Sequence, residues 1–137
     1  MCQKKGFFTI AAWQKADDLA VKVYEVTDPK TGYFPKHQLY SLTQQFQSAA
    51  VSVAANIAEG SGRESLAEYL HFLSIAKGSL AEVEYYIHLA NRLTYLPSAI
   101  HQELEELQSA CARALVGFIR FKQQELEAQH AKKRRTS

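Results

Sequence analysis

Ala49-Ala50-Val51-Ser52-Val53-Ala54-Ala55-Asn56-Ile57-Ala58-Glu59-Gly60-Ser61-Gly62-Arg63-Glu64-Ser65-Leu66-Ala67-Glu68 is the stretch from which the fold can be read. It reads as a helix end, a tight turn and a helix start. The small residues of the first part let a neighbouring helix approach closely. Gly60 suits the left-handed position just past a helix C-terminus, where a side chain would clash. Ser65 is a natural N-cap, and Glu68 three residues later completes a capping box. The chain is therefore expected to reverse here between two long helices.

Hydrophobic spacing on either side extends the pattern. Ala12, Ala16, Leu19, Val23 and Val26 recur at intervals of 4, 3, 4 and 3, which is one face of a first helix. Trp13, Ala20 and Tyr24 lie beside that face. Asp28-Pro29-Lys30-Thr31-Gly32 supplies turn chemistry, and Phe34-Pro35 leads into the next helix. That second helix is predicted over about residues 36–59, with Leu39, Leu42, Phe46, Ala49, Val53 and Asn56 on its core stripe. Leu66, Tyr69, Leu73, Ala76, Leu80, Val83, Ile87 and Ala90 then alternate 3 and 4 without a break, marking a third helix. Leu93-Thr94-Tyr95-Leu96-Pro97 ends it, and Ser98 is placed as the cap of a fourth. Ile100, Leu104, Leu107, Cys111, Ala114, Phe118 and Phe121 form the fourth stripe. Four helices with short links predict an all-α fold, an antiparallel up-down-up-down four-helix bundle. The domain reading is a lead-in over 1–9, one bundle over 10–127 and a basic, disordered tail over 128–137.

Composition bounds the function. The 137 residues are enough for one domain with a core, and 47% hydrophobic with 22% charged residues is ordinary for a soluble globular protein. No apolar run approaches the ~18 residues a spanning helix needs, so no membrane partner is expected. The apolar piece near Phe7-Phe8 is short and lacks a convincing cleavage site, so it reads as a lead-in to the first helix. Cys2 and Cys111 stand alone, which points to reduced thiols and a cytoplasmic location. Net charge is +2, but Lys132, Lys133, Arg134 and Arg135 carry it; without them 12 basic residues face 14 acidic ones. A mildly acidic body with a basic end is not a domain whose whole surface grips phosphate. Those four residues are the candidate nucleic-acid contact.

The third helix carries a second apolar stripe: Phe72, Ile75, Tyr86, Leu89 and Leu93, interrupted by Ser79 and Glu82. A helix apolar on two faces has more to bury than one seam. Gly78 borders this stripe, where close approach of another backbone would explain a residue costing about 1 kcal/mol relative to Ala. Phe72, Ile75, Gly78, Tyr86, Leu89 and Leu93 are thus the candidate oligomer interface. A polar cluster of Asn56, Glu59, Gly60 and Arg63 is expected at the hairpin turn, with Asn56 bonding the turn and Glu59 pairing with Arg63.

Several chemistries read poorly. Glu68-Tyr69-Leu70-His71 and Glu127-Ala128-Gln129-His130 share the Glu-x-x-His spacing of di-iron bundles. In the register set by Leu66, however, Glu68 and His71 point away from the core. Cys111 falls on a core stripe without a neighbouring base. Gly60-Ser61-Gly62 has neither a preceding strand nor a following Lys-Ser/Thr, so it is no phosphate loop. The seven tyrosines could stack on bases, although packing is the commoner fate of helical tyrosines. No cofactor, metal, small-molecule substrate or enzymatic activity is expected.

The residues carry a resemblance. Trp13-Gln14-Lys15-Ala16, Phe34-Pro35 with Leu39-Tyr40-Ser41-Leu42, the Ala49–Val53 segment with Asn56-Ile57-Ala58-Glu59-Gly60 and Gly62-Arg63, and Phe72-Leu73 with Ile75-Ala76-Lys77-Gly78-Ser79-Leu80 together resemble the 23S ribosomal RNA intervening-sequence protein family. That family is also called the four-helix bundle protein family. The resemblance spans about residues 10–121. It implies a bacterial, cytosolic, non-enzymatic bundle that assembles as a homo-oligomeric ring, with pentamers typical. RNA interaction is suggested for the family rather than settled. Similar proteins usually carry two arginines where Gln47 and Ser48 stand here, and a proline where Ala54 stands. Both departures weaken the transfer of RNA binding. The readings left open are a ring-forming scaffold, an RNA-binding particle using the basic tails, and an adaptor for a protein partner.

Overall fold

The alternating 3 and 4 spacings become four helices in the computed structural model, which describes residues 5–136. They are α1 (Ala11–Thr27), α2 (Leu42–Ser61), α3 (Leu66–Arg92) and α4 (Ser98–Thr136), joined by short links and preceded by a 3₁₀ turn at Gly6–Thr9. Each helix packs against its sequence neighbours, and α4 closes the square against α1. Every link reverses the chain, so the bundle is all-α and up-down-up-down. Cys2 and Ser137 lie outside the described residues.

The core is what the strongest periodicities require. Ala12, Ala16, Leu19, Val23 and Val26 of α1 are all buried, as are Tyr69, Leu73, Ala76, Leu80, Val83, Ile87 and Ala90 of α3. Phe46, Val53 and Ile57 of α2 and Leu104, Cys111 and Leu115 of α4 fill the remaining sides.

Five expectations are corrected. The second helix starts at Leu42, not near Lys36. Pro35 is extended, a 3₁₀ turn follows over Lys36–Gln38, and Ser41 breaks the backbone at φ −130 and ψ −98. Ser41 Oγ donates to Gln38 Oε1 at 2.6 Å and does not cap α2. Leu39 is thereby turned out of the core and is 42% exposed. Next, Asn56 yields its core place to Ile57. On α4 the buried stripe is Leu104, Gln108, Cys111 and Leu115, with Leu107 and Ala114 half-buried and Phe121 exposed at 56%. Finally, residues 128–136 do not form an unstructured tail; they continue α4 as helix to Thr136. At the other end of α4 the Pro97 carbonyl accepts from the His101 N–H, so Ser98 is the first helical residue rather than the cap.

The links are held locally. The Asp28 side chain accepts from Lys30 N–H at 2.9 Å, and Gly32 takes the left-handed φ of +69 that a side chain would disfavour. Thr27 Oγ1 donates to the Val23 carbonyl at 2.7 Å and accepts from Gln47 Nε2 at 2.9 Å, tying α1 to α2. Gln47 thus serves packing within the chain. α2 runs unbroken through Ala54.

Candidate functional site

The turn cluster assembles differently from its sequence reading. Ser65 Oγ accepts from Glu68 N–H at 3.1 Å, so the N-cap of α3 forms. Gly60, however, is inside α2 in right-handed conformation; the positive-φ glycines among the described residues are Gly6 and Gly32. Its lack of a side chain serves packing. A Cβ there would meet Phe72 Cβ and Tyr69 Cδ1, each at 2.9 Å. Arg63 Nη2 donates to Glu59 Oε1 at 2.6 Å, and the Arg63 guanidinium lies 4.6 Å from the Phe72 ring centre. That pair forms as expected and roofs Phe72. Asn56 does not join it. Its Nδ2 donates to the Ser52 carbonyl at 2.8 Å and to Ser52 Oγ at 2.9 Å, away from the turn.

Ser52 continues this polar line, with its Oγ 2.8 Å from Ser79 Oγ on α3. Between α2 and α3 lies a shallow open groove of about 510 Å³, with Ala49, Ser52 and Ser79 among its lining and Gln45, Glu82 and Tyr86 around it. Tyr86 Oη donates to Gln45 Oε1 at 3.1 Å, and its ring meets Phe46 edge-on at 6.1 Å.

The second stripe of α3 is thus divided. Phe72 and Tyr86 pack on α2 of their own chain, and Leu89 is half-buried. Ile75 and Leu93 remain exposed, at 40% and 42%. Gly78 is exposed as well, with nothing within 4 Å of where its Cβ would be. Close approach within the chain therefore does not account for it.

The groups that could carry chemistry are dispersed. Cys111 is fully buried, and burial pushes its thiol up to about 11, with Lys15 opposing in smaller part; it stays protonated at neutral pH. Glu68 and His71 are both exposed, and among the described residues no three His, Cys, Asp or Glu side chains group closely enough to hold a metal ion. Tyr69 has its phenol raised by burial and then by Glu125; Phe118 lies edge-on to it at 5.8 Å, and Lys122 is 5.3 Å from its ring centre. That arrangement packs α3 on α4. Lys132, Lys133, Arg134 and Arg135 are exposed on the last helical turns, where positive charge complements the helix dipole.

Residues 9–117 of the sequence match the family of the 23S rRNA-intervening sequence proteins. The chain belongs to that family. A protein of unknown function from the S23 ribosomal protein family of Bacteroides thetaiotaomicron superposes on it with a TM-score of 0.71. The superposition covers 80% of this chain and 98% of the other at 20% identity, so the likeness concerns the fold alone. No curated protein matches the sequence. The family match ends before the last 20 residues, so the final stretch of α4 lies outside it.

One surface feature escaped the sequence reading. No Asp, Glu, Lys or Arg occurs between Lys36 and Glu59. α2 therefore shows water an uncharged face that includes Ser48, Val51 and Ala55, with Val51 exposed at 43%. The signal was present as a charge gap, but attention to the apolar stripe alone passes over it. Among the described residues, no helix is long and apolar enough to cross a membrane.

Proposed function

We propose that this chain is a non-catalytic scaffold of the bacterial cytoplasm that assembles with copies of itself into a closed ring, five subunits being the count the family resemblance implies. The observation that carries this reading is the uncharged outer face of α2. A helix on the surface of a bundle ordinarily carries charge on its solvent side, and one that does not is ordinarily covered. Ile75 and Gly78 on the adjoining helix extend the same region. Contacts between two different patches, repeated head to tail, close into rings when the rotation permits.

The test is the solution mass of the wild type beside Val51→Glu and Ile75→Glu. Both side chains are exposed in the single chain, so neither change should alter helical content. A carboxylate buried in an apolar contact without a partner costs several kcal/mol, enough to break the assembly. The wild type is expected at a multiple of 15.4 kDa and the variants at or near the single-chain mass. A wild type that stays monomeric at tens of micromolar would sink the proposal.

A second reading draws on the basic end of α4. A ring would present several such ends on one particle, and their avidity could hold RNA. Binding to ribosomal RNA fragments that weakens with salt and disappears when Lys132–Arg135 are made neutral would favour it.

A further inference from the structure

The side of α3 that faces water repeats as regularly as the side that faces the core. His71, Ser74, Gly78, Ala81, Tyr85 and His88 follow one another at spacings of 3, 4, 3, 4 and 3, and all six are exposed. No Asp, Glu, Lys or Arg stands among them, although the solvent side of a surface helix is ordinarily its charged side. Tyr85 is 55% exposed, and its ring contacts are with Tyr86 and His88 of its own helix, at 5.9 and 6.3 Å. Gly78 in mid-helix gives up helix propensity that nothing within the chain recovers, since no atom lies within 4 Å of where its Cβ would be.

A seam of 3 and 4 spacings is the pattern by which one helix packs along another. Size and charge together say which helix. In an antiparallel pair of α3 helices, Gly78 lies opposite Ala81 of the second copy, Ser74 opposite Tyr85, and His71 opposite His88. Large then meets small at the centre, and the axes can approach to about 8 Å. A parallel pair would instead set Tyr85 against Tyr85 and Arg92 against Arg92. Lys77 and Glu84 stand two turns apart on the edge of this seam that faces α4, and both line the small cavity there. Neither forms an ion pair among the described residues, and Glu84 has the long contact of 3.5 Å from Gln108 Nε2. The register that matches sizes also brings Lys77 of each copy beside Glu84 of the other, so the charge match is made twice. Charges along the edges of a helical seam set its partner and its direction.

We infer that the solvent face of α3 pairs antiparallel with the same face of a second copy, across a two-fold axis beside Gly78. The contact is isologous and so differs from the head-to-tail contact on α2, on which it does not depend. Ile75 lies on the border between the two faces. From His71 to His88 the seam is about 25 Å long and one helix wide, which falls short of the ~800 Å² per partner of a stable pair. Single chains therefore pair weakly, with a Kd of about 0.1 mM. Chains already gathered in one particle present several such seams together, and the pairing then joins particle to particle by avidity.

The experiment follows full-length Val51→Glu, in which the α2 face is blocked, by sedimentation at about 0.05 M salt. The readout is the rise in mass between about 20 µM and about 0.5 mM chain, so a particle held by another face does not obscure it. Val51→Glu alone is expected to rise toward twice its starting mass. Adding Lys77→Glu, or adding Glu84→Lys, sets like charges opposite one another and weakens the pairing about 10-fold. An equimolar mixture of those two chains, in which each new charge meets its opposite, recovers it. Adding Gly78→Gln abolishes the rise without lowering the melting temperature, because the position is open within the chain. Melting curves check that every variant folds, and if Val51→Glu does not, the same changes are made in the wild type with the same readout. No rise in the folded parent, an unaltered rise with Gly78→Gln, or a mixture as weak as its components overturns the inference. Weakening by Lys77→Glu without weakening by Glu84→Lys marks a parallel pair and overturns the antiparallel one. A wild type that is monomeric at tens of micromolar sinks the ring and leaves this test as it stands.

Discussion

At the scale of single residues, Gly60 shows how a correct residue choice can have a different cause from the one its sequence context suggests. Glycine before a turn reads as a left-handed cap. In the bundle it is a right-handed helical residue against which the Phe72 and Tyr69 side chains lie. Gly60→Ala gains helix propensity of up to about 1 kcal/mol but forces α2 and α3 apart at a contact involving a Cβ, which cannot swing away. The net expectation is a loss of about 1–2 kcal/mol in urea unfolding. Cys111 gives a pH prediction. Its thiol is raised in the folded state, so its contribution to stability is complete below about pH 9 and falls as pH rises toward 11. The full effect is on the order of 2 kcal/mol. Cys111→Ala should flatten that alkaline limb, leaving the smaller part that Tyr69 contributes in the same direction. An unchanged limb in the variant would show that the buried thiol is not its source.

At the scale of elements, α3 was the most legible and α4 the least. Each position of the α3 core stripe from Tyr69 to Ala90 is buried, because its 3-and-4 spacing is unbroken along the helix whereas the second apolar stripe is interrupted by Ser79 and Glu82. α4 has apolar residues around a wider arc, including Val116, Phe118, Ile119 and Phe121. Such a helix can turn by part of a residue step at little cost, and its packing against α1 and α3 chose Gln108 and Leu115 over Leu107 and Ala114. Gly78 offers the element-scale test. With open space at its Cβ position, Gly78→Ala should stabilise the single chain by about 0.5–1 kcal/mol through helix propensity and a less flexible unfolded chain. If another copy packs there, the same change should weaken assembly while raising the stability of the isolated chain. Both effects can be read from denaturation at low and high protein concentration.

At the scale of the whole molecule, the square of helices leaves a division of surfaces. The body is mildly acidic, the α2 face is uncharged, and the end of α4 is basic. Val51→Glu and Ile75→Glu test the uncharged face. The candidate interface on α3 was legible only in part. Its apolar members could be named from spacing, but Phe72 and Tyr86 turned out to be occupied by their own chain's α2. Glu at Tyr86 would damage the fold as well as any assembly, whereas Glu at Ile75 separates the two.

The sequence by itself determined the four helices, their order, the up-and-down path and the family, since these follow from periodicity, turn chemistry and local motifs acting over a few residues. The tertiary structure alone decided the rotation of each helix about its axis, the cause of Gly60, the partners of Asn56 and the helical course of the last turns. It also decided which part of the second stripe on α3 remains open to a partner. These depend on side chains far apart in sequence competing for the same space, and no local pattern contains the outcome of that competition.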